Sequence, residues 1–316
     1  MKARYLGIIL GVTLILGACG GGGGDGGATA AYTGNRALAD VTVANGNTLA
    51  NGGLGASKSV GGVVNVTARP QAEVSAEPNG SFILGTINVI TNVVNHSLGK
   101  TASRASSQAR TESGTINCSL GGSIHFSLDI PDSGNNFSGY MDFNGCTEAG
   151  IAIDGRVDIS GTVAGDTMGS LTLTISNSSP LVITSGGDSV TFIGTLAMQI
   201  NGATTTTVTN LLVINGDGRV EMLENFTVVF TDGQGGNDSL AISGRYYHPV
   251  EGYVEITTPV TMLMRPFDVW PFFGTMLLTG SAGSIAQIDI INNAQYTLSI
   301  DEDGDGNWES SEVINF

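Results

Sequence analysis

The sequence predicts a mainly β fold, an antiparallel meander that closes into a sandwich or barrel-like domain, with one N-terminal helix and a flexible glycine-rich tether. Three observations lead to this prediction. Apolar and polar residues alternate with a period of two over most of the chain after Gly114, as in strands with one buried face. Pairs such as Asn201-Gly202 and Asp232-Gly233 separate the alternating stretches and favour tight hairpin turns. Glycine accounts for 47 of the 316 residues, about twice the usual ~7%, which suits many strands joined by short turns.

The β domain is predicted to cover residues 114–316. Its first clear strand places Ile124, Phe126 and Leu128 on one face, and similar alternation recurs about a dozen times along the chain. So many strands cannot remain one flat open sheet without exposing edges and an apolar face, so we expect a sandwich or a barrel-like shape. With 41% hydrophobic residues, the chain can bury a sizeable core.

Residues 36–113 are predicted to be a low-complexity extended region that contains one helix and a polar linker. Alanine, glycine, asparagine, threonine and serine dominate its first part, with weak periodicity. From Ile83 to Leu98 apolar residues recur every three or four positions, which indicates a helix near 82–98 that packs on the sheet or plugs it. Serines and basic residues over 100–113 indicate the linker.

The first residues have the organisation of a secretory leader. Lys2 and Arg4 precede an apolar stretch over 5–16, which is shorter than the ~20 residues of a membrane-spanning helix. The leader ends in a Leu-Gly-Ala-Cys sequence at Cys19. This ending resembles the lipobox of bacterial lipoproteins.

The lipobox resemblance implies that residues 1–18 are a cleaved signal peptide and that Cys19 becomes the lipidated N-terminus, held to the membrane by acyl chains such as palmitate. Gly20 stands where an aspartate favours inner-membrane retention in enteric lipoproteins, so we expect the outer membrane, with a periplasmic or surface-facing orientation. Residues 19–35 would then be a flexible glycine-rich tether. The alternative is an ordinary cleaved signal in which Cys19 is incidental.

The charge of the chain excludes nucleic acid as a partner. The net charge is −16, with only 12 lysines and arginines, whereas nucleic-acid binding needs clustered basic residues to displace phosphate counterions. Anionic lipid surfaces do not attract so acidic a protein either. The expected membrane contact is therefore the lipid anchor alone.

The cysteines predict one disulfide. With Cys19 assigned to lipid, Cys118 and Cys146 remain in a compartment that permits oxidation. A structural disulfide between them would stabilise the fold by ~3.5 kcal/mol in the chain-entropy model. The alternative, a metal-binding or nucleophilic thiol pair, lacks a Cys-x-x-Cys spacing, and the nearest histidine, His125, lies on an alternating strand.

The acidic C-terminal segment 301–312 predicts a calcium site. It has carboxylates at positions 1, 3 and 5, glycine at 6 and glutamate at 12, and so resembles the EF-hand calcium loop. The resemblance assigns six ligand residues: side-chain oxygens of Asp301, Asp303, Asp305 and Glu312, the backbone carbonyl of Asn307, and a water-mediated contact of Glu309. Strand-like alternation precedes the loop instead of a helix, so the segment is more similar to the single loops of dockerin-like or thrombospondin-type repeats. A structural calcium ion is expected, and the alternative is a solvated acidic tail.

The sequence contains no recognised catalytic motif, so we do not expect an enzyme. The leading hypothesis is a lipid-anchored outer-membrane or surface protein with a structural or binding role, stabilised by the disulfide and by calcium. Two alternatives stay open: a carrier or assembly factor with an apolar cavity in an incompletely closed sheet, and a secreted polysaccharide hydrolase with two facing carboxylates. The aromatic cluster over 265–273 suits either a loop that covers the sheet edge or a contact for a protein or glycan partner.

Overall fold

A computed structural model describes most of the β domain and part of the region that precedes it. The predicted signal peptide, the lipid-attachment residue Cys19, most of the tether and most of the helix near 82–98 lie outside the described residues. The described residues are 31–67, 90, 94, 110–130, 136–148, 150–164, 167–265, 268 and 270–316.

In the described part of the chain, a 22-residue helix, α1 (Gly46–Thr67), precedes fifteen strands. Apart from β6, the strands follow one another as antiparallel neighbours in a single sheet whose edges are β1 and β15, which confirms the predicted mainly β antiparallel meander. The strands are β1 (Arg110–Asn117), β2 (Ser123–Ile130), β3 (Asn136–Glu148), β4 (Ile151–Ala164), β5 (Thr167–Ile175), β6 (Leu181–Ser185), β7 (Asp188–Asn201), β8 (Thr204–Asn215), β9 (Val220–Thr231), β10 (Asp238–His248), β11 (Gly252–Met264), β12 (Phe273–Thr279), β13 (Ile285–Asn292), β14 (Gln295–Asp301) and β15 (Ser310–Asn315).

Two short strands, β5 and β6, share one position in the sheet. β5 pairs with the second half of β4 and β6 with its first half, and both also pair with β7. They therefore lie end to end, separated by a loop over 176–180. Gly155 permits the close approach of this loop, because a Cβ atom there would lie 2.0 Å from the carbonyl oxygen of Pro180. The pairing closes a local ring of β4, β5, β7 and β6 within the meander.

The second half of the sheet curls around α1. Asn51 accepts a hydrogen bond of 3.2 Å from the hydroxyl of Tyr296 on β14, while the next residue, Gly52, faces the ring of Tyr246 on β10. In a flat sheet β10 and β14 would be about 19 Å apart, at ~4.8 Å per strand. The sheet curves to bring both strands to one helix of ~10 Å diameter, which is consistent with the predicted barrel-like closure.

Buried apolar side chains form two cores along the sheet. The first core is built from β2–β8 and includes the fully buried Met141 and Leu171. Ile90 and Val94, the two described residues of the helix predicted near 82–98, are helical and fully buried in this core. The second core is built from α1 and β9–β14, with Phe226 fully buried. Each core thus combines one face of the sheet with helical residues.

The helix α1 differs from the extended chain predicted for its part of residues 36–113. Leu49, Ala50 and Leu54 of this helix are buried in the second core. A Cβ atom at Gly52 would lie 2.2 Å from the hydroxyl of Tyr246, so glycine lets the helix approach the sheet closely. Burial of the apolar face outweighs the low helix propensity of glycine.

The predicted polar linker also ends earlier than expected, because β1 already begins at Arg110. The first residues of β1 pair in register with the last residues of β2. Among the residues described, no helix combines the length and the apolar character needed to cross a bilayer.

The predicted disulfide between Cys118 and Cys146 is confirmed. The two Cα atoms lie 5.4 Å apart, and both residues are buried in the first core. Cys118 follows β1 and Cys146 lies on β3. The disulfide therefore ties the edge of the sheet to an inner strand.

Residues 35–45, which we name the strap, cross one end of the sheet. The N–H of Ala39 donates to the carbonyl of Tyr253 (2.8 Å), and the N–H of Tyr253 donates to the carbonyl of Ala37 (2.9 Å). Ala39 also accepts a hydrogen bond of 2.6 Å from the N–H of Ser281. The strap thus joins β11 to the β12–β13 turn immediately before the chain enters α1.

Candidate metal centre

The acidic residues predicted to bind a metal lie in the loop that connects β14 to β15. β14 ends at Asp301, which is only 2% exposed. The strand is paired on both sides, with β13 and β15. The first carboxylate of the loop is therefore held on a rigid element, as a preorganised site requires.

Four carboxylates converge in this loop. One oxygen from each of Asp301, Asp303, Asp305 and Glu309 lies within 4.8 Å of the others, with Asp301 buried and the other three exposed. Two oxygens bound to calcium at ~2.4 Å can be no more than ~4.8 Å apart. The spacing of the four oxygens is therefore compatible with one shared cation.

Backbone N–H groups hold two of the carboxylates in position. Asp301 accepts hydrogen bonds from Gly304 through Oδ1 (2.8 Å) and from Gly306 through Oδ2 (2.9 Å). Both glycines have positive φ, 72° and 88°, which residues with a Cβ rarely adopt. Asp305 accepts from the backbone and the side-chain amide of Asn307 (2.7 and 3.0 Å), and these two bonds hold the pKa of that carboxyl below its usual range.

Hydrogen bonds to the backbone of the loop position the other two carboxylates, those of Asp303 and Glu309. Asp303 accepts a hydrogen bond of 3.2 Å from the N–H of Asp305. Glu309 accepts one of 2.7 Å from the N–H of Glu302, and its own N–H donates to the carbonyl of Ile300 (2.9 Å). The backbone bond to Ile300 brings Glu309 back beside the start of the loop, where its carboxylate meets the aspartates.

Glu312 is not part of this carboxylate group, although the EF-hand resemblance assigns it as a ligand. It lies exposed on β15, opposite Leu298. Burial raises the pKa of Tyr296, and the charge of Glu312 adds to that effect. In an EF-hand a helix returns the last glutamate to the ion, whereas here a strand with a rise of ~3.3 Å per residue leads it away. Glu309, expected to act only through water, takes its place in the group.

The acidic loop rests on two other segments at the same end of the sheet. A Cβ atom at Gly304 would lie 2.9 Å from the carbonyl oxygen of Gly283, so the loop packs closely on the Ser281–Gly283 turn. The carboxylate of Glu302 accepts a hydrogen bond from the N–H of Val43 in the strap. Loop, turn and strap therefore support one another.

Sequence reasoning missed an aromatic cluster on the face of the sheet that points away from the second core. Tyr247 packs against Tyr32 and Tyr253, with ring centroids 5.6 and 4.9 Å away. Its hydroxyl donates to Glu224 (2.7 Å), which also pairs with Arg245 (3.0 Å). The bond from Tyr247 holds the pKa of Glu224 below its usual range, and burial raises the pKa of Tyr32 to about 12. These residues come from β9, β10 and β11 and from the chain before the strap, so no local motif could reveal them.

No family model, no curated protein and no solved structure matches this chain. Its function is therefore argued from the chemistry of the described residues. The acidic loop offers the most specific chemistry, since four carboxylates meet within nine consecutive residues.

Proposed function

We propose that the protein is a lipid-anchored outer-membrane or surface protein of a bacterial envelope, whose β domain has a structural or binding role and is stabilised by the disulfide and by calcium. The convergence of the carboxylates of Asp301, Asp303, Asp305 and Glu309 supports the calcium ion. The leader that ends in Cys19 supports the localisation.

Calcium suits the acidic loop by ligand type and number. Donor sets made only of oxygen favour Ca²⁺ or Mg²⁺, whereas Zn²⁺ is bound mainly by nitrogen and sulfur. The four carboxylates, the backbone carbonyl of Asn307 and water would supply the six to eight oxygens that Ca²⁺ takes. The ion would offset the repulsion between neighbouring carboxylates, and an affinity on the order of 10⁻⁴ to 10⁻³ M is typical of extracellular modules.

Terbium luminescence, with Trp308 as the sensitiser, tests this proposal. We expect saturable terbium binding that calcium displaces more effectively than magnesium does. Glu309→Gln should weaken binding at least about tenfold because it removes a charged ligand. The matched control Glu312→Gln, three residues further along the chain, should leave the titration unchanged. If only Glu312→Gln weakens binding, Glu312 is the ligand, as in an EF-hand, and Glu309 is not. If the wild type shows no saturable binding, the calcium proposal fails.

The lipid anchor has a separate test. Mass spectrometry of the protein from its native host should find a mature chain that begins at Cys19 and bears acyl groups. Cys19→Ala should move the protein from the membrane fraction to the soluble fraction, because the anchor is the proposed membrane contact. An unprocessed, acyl-free Met1 terminus would contradict the anchor and leave the calcium proposal untouched.

The alternatives named above have less support. α1 occupies the curled part of the sheet and buries Leu49 and Ala50 completely, so a helix lies where a carrier would hold an apolar ligand. A glycoside hydrolase needs two carboxylates that face each other across a cleft. Glu224 and Glu255 both pair with Arg245 on a sheet face, so neither carboxylate stands free across a cleft.

A further inference from the structure

A small depression lies between α1 and the strands at the edge of the second core. Its volume is about 230 Å³. The helix contributes Asn51, Leu54 and Gly55 to one wall, and their i, i+3, i+4 spacing places them on the same helical face. The depression therefore has a defined wall on a regular element.

Aromatic rings form the opposite wall. Trp270 and Phe316 stack with ring centroids 4.4 Å apart and an interplanar angle of 10°. Tyr296 lies 5.0 Å from Phe316, and all three rings line the depression. Trp270 and Phe316 are both partly exposed. The wall thus offers aromatic surface to a ligand that enters from solvent.

The polar groups of the depression are amides. Asn51 and Asn315 both line it and are exposed. Asn51 accepts from Tyr296 and donates to Asn47, and each amide keeps the capacity for a further hydrogen bond, because it has two N–H donors and an oxygen with two lone pairs. Gln295 donates to Oδ1 of Asn315 (3.1 Å), which fixes the orientation of that amide. Among the lining residues that the structure describes, no side chain is charged, so the chemistry of the depression favours a neutral ligand that both donates and accepts hydrogen bonds.

Gly55 provides an independent indication that the space is retained. Glycine is among the least favourable residues inside a helix, and its neighbours Gly52 and Gly53 are explained by close contact with the sheet. At Gly55 a Cβ atom would meet no atom within 4 Å. Packing against the described residues therefore does not require glycine there, whereas glycine keeps this wall of the depression open.

We infer that this depression binds one unit of a neutral saccharide. A pyranose ring has an apolar C–H face that packs on aromatic rings, and hydroxyl groups that donate to and accept from amides. The volume is below the ~300–1,000 Å³ of sites for drug-sized ligands, which suits a single ring of a longer glycan. The net charge of −16 disfavours acidic saccharides.

The inference does not depend on the calcium proposal. None of the four clustered carboxylates lines the depression. Saccharide titrations in calcium and in EDTA, run beside the terbium titration, separate the two proposals, since either one can fail alone.

Saturation-transfer NMR on the folded protein with maltotriose, cellotriose and chitotriose, and with trigalacturonic acid as the acidic comparison, tests the inference. We expect at least one neutral trisaccharide to bind with a Kd on the order of millimolar, as a ligand of few contacting atoms should. Gly55→Leu, which fills the depression from the helix, and Trp270→Ala should each weaken binding at least tenfold. Phe273→Ala, which removes an exposed aromatic ring (49% exposed) outside the depression, is the matched control and should leave it unchanged.

Three outcomes would overturn the inference: no neutral trisaccharide binds, the acidic trisaccharide binds as well as the neutral ones, or binding survives Gly55→Leu. Because Trp270→Ala also removes a stacked core neighbour, the thermal midpoint of each variant is measured in parallel. Loss of binding in Gly55→Leu at an unchanged midpoint supports the depression as the binding site.

Discussion

The disulfide between Cys118 and Cys146 permits a quantitative prediction, because it closes a loop with a sequence separation of 28. In the chain-entropy model this restriction of the unfolded chain stabilises the fold by ~3.5 kcal/mol. With a urea m value of ~3 kcal/mol/M, reduction should lower the unfolding midpoint by about 1 M.

The position of the disulfide predicts which part of the protein loses stability. Both cysteines belong to the first core, whereas Trp270 packs against the second core and Trp308 lies in the loop after β14. Far-UV circular dichroism reports on the whole sheet, but tryptophan emission reports on the second half. We therefore expect reduction to shift the dichroism transition strongly and the tryptophan transition much less.

Urea titrations of the oxidised and reduced protein, followed by both signals, provide the assay. The double variant Cys118→Ala/Cys146→Ala in the absence of reductant controls for effects of the reductant itself. Equal dichroism midpoints in the oxidised and reduced states would refute the entropic estimate. An equal shift of both signals would instead show that the two cores unfold as one unit.

Three further predictions concern single residues. Burial lowers the pKa of His248, whose ring nitrogen accepts a hydrogen bond from the N–H of Glu251. Because the unfolded state then binds the proton at a higher pH than the folded state does, the stability should fall as the pH drops below ~6.5. In a pH series of urea midpoints, His248→Gln should flatten that part of the curve. Phe226→Ala should destabilise the second core by ~3–5 kcal/mol, because the ring is fully buried, and should lower the tryptophan-detected midpoint; a change below 1 kcal/mol would contradict the packing described. Gly55→Ala should raise the thermal midpoint, with a gain of ~0.5–1 kcal/mol from helix propensity, and a lower midpoint would show that the open space is absent.

The strands could be predicted because their signal is local. In β2 the alternation of Ile124, Phe126 and Leu128 with polar residues marks the buried face directly, and the turns that separate the strands contain residues that tolerate positive φ. The disulfide followed from the number of cysteines and the expected compartment. Each of these inferences needs only neighbouring residues or a count.

The helix α1 could not be predicted in the same way, because long-range contacts stabilise it. Its sequence contains glycine where a helix normally carries a larger apolar residue, and the reason lies in the ring of Tyr246 against Gly52. The carboxylate group of the acidic loop shows the same limit. The twelve-residue EF-hand template assigns Glu312 as a ligand. In the structure a strand follows the loop instead of a helix, and Glu309 joins the three aspartates. Only the fold supplies that information.

The distance in sequence between α1 and its partners has a consequence for how the chain acquires its fold. Asn51 and Tyr296 are separated by 245 residues, which at ~5–20 residues per second take about 12 to 50 s to synthesise. For much of that interval a glycine-rich segment with weak intrinsic helicity lacks its partners, because β8–β10, which it contacts, follow it by more than 130 residues and β14 comes later still. Packing of α1 is therefore complete only after β14 has formed, and contacts of such high sequence separation favour slow docking of α1.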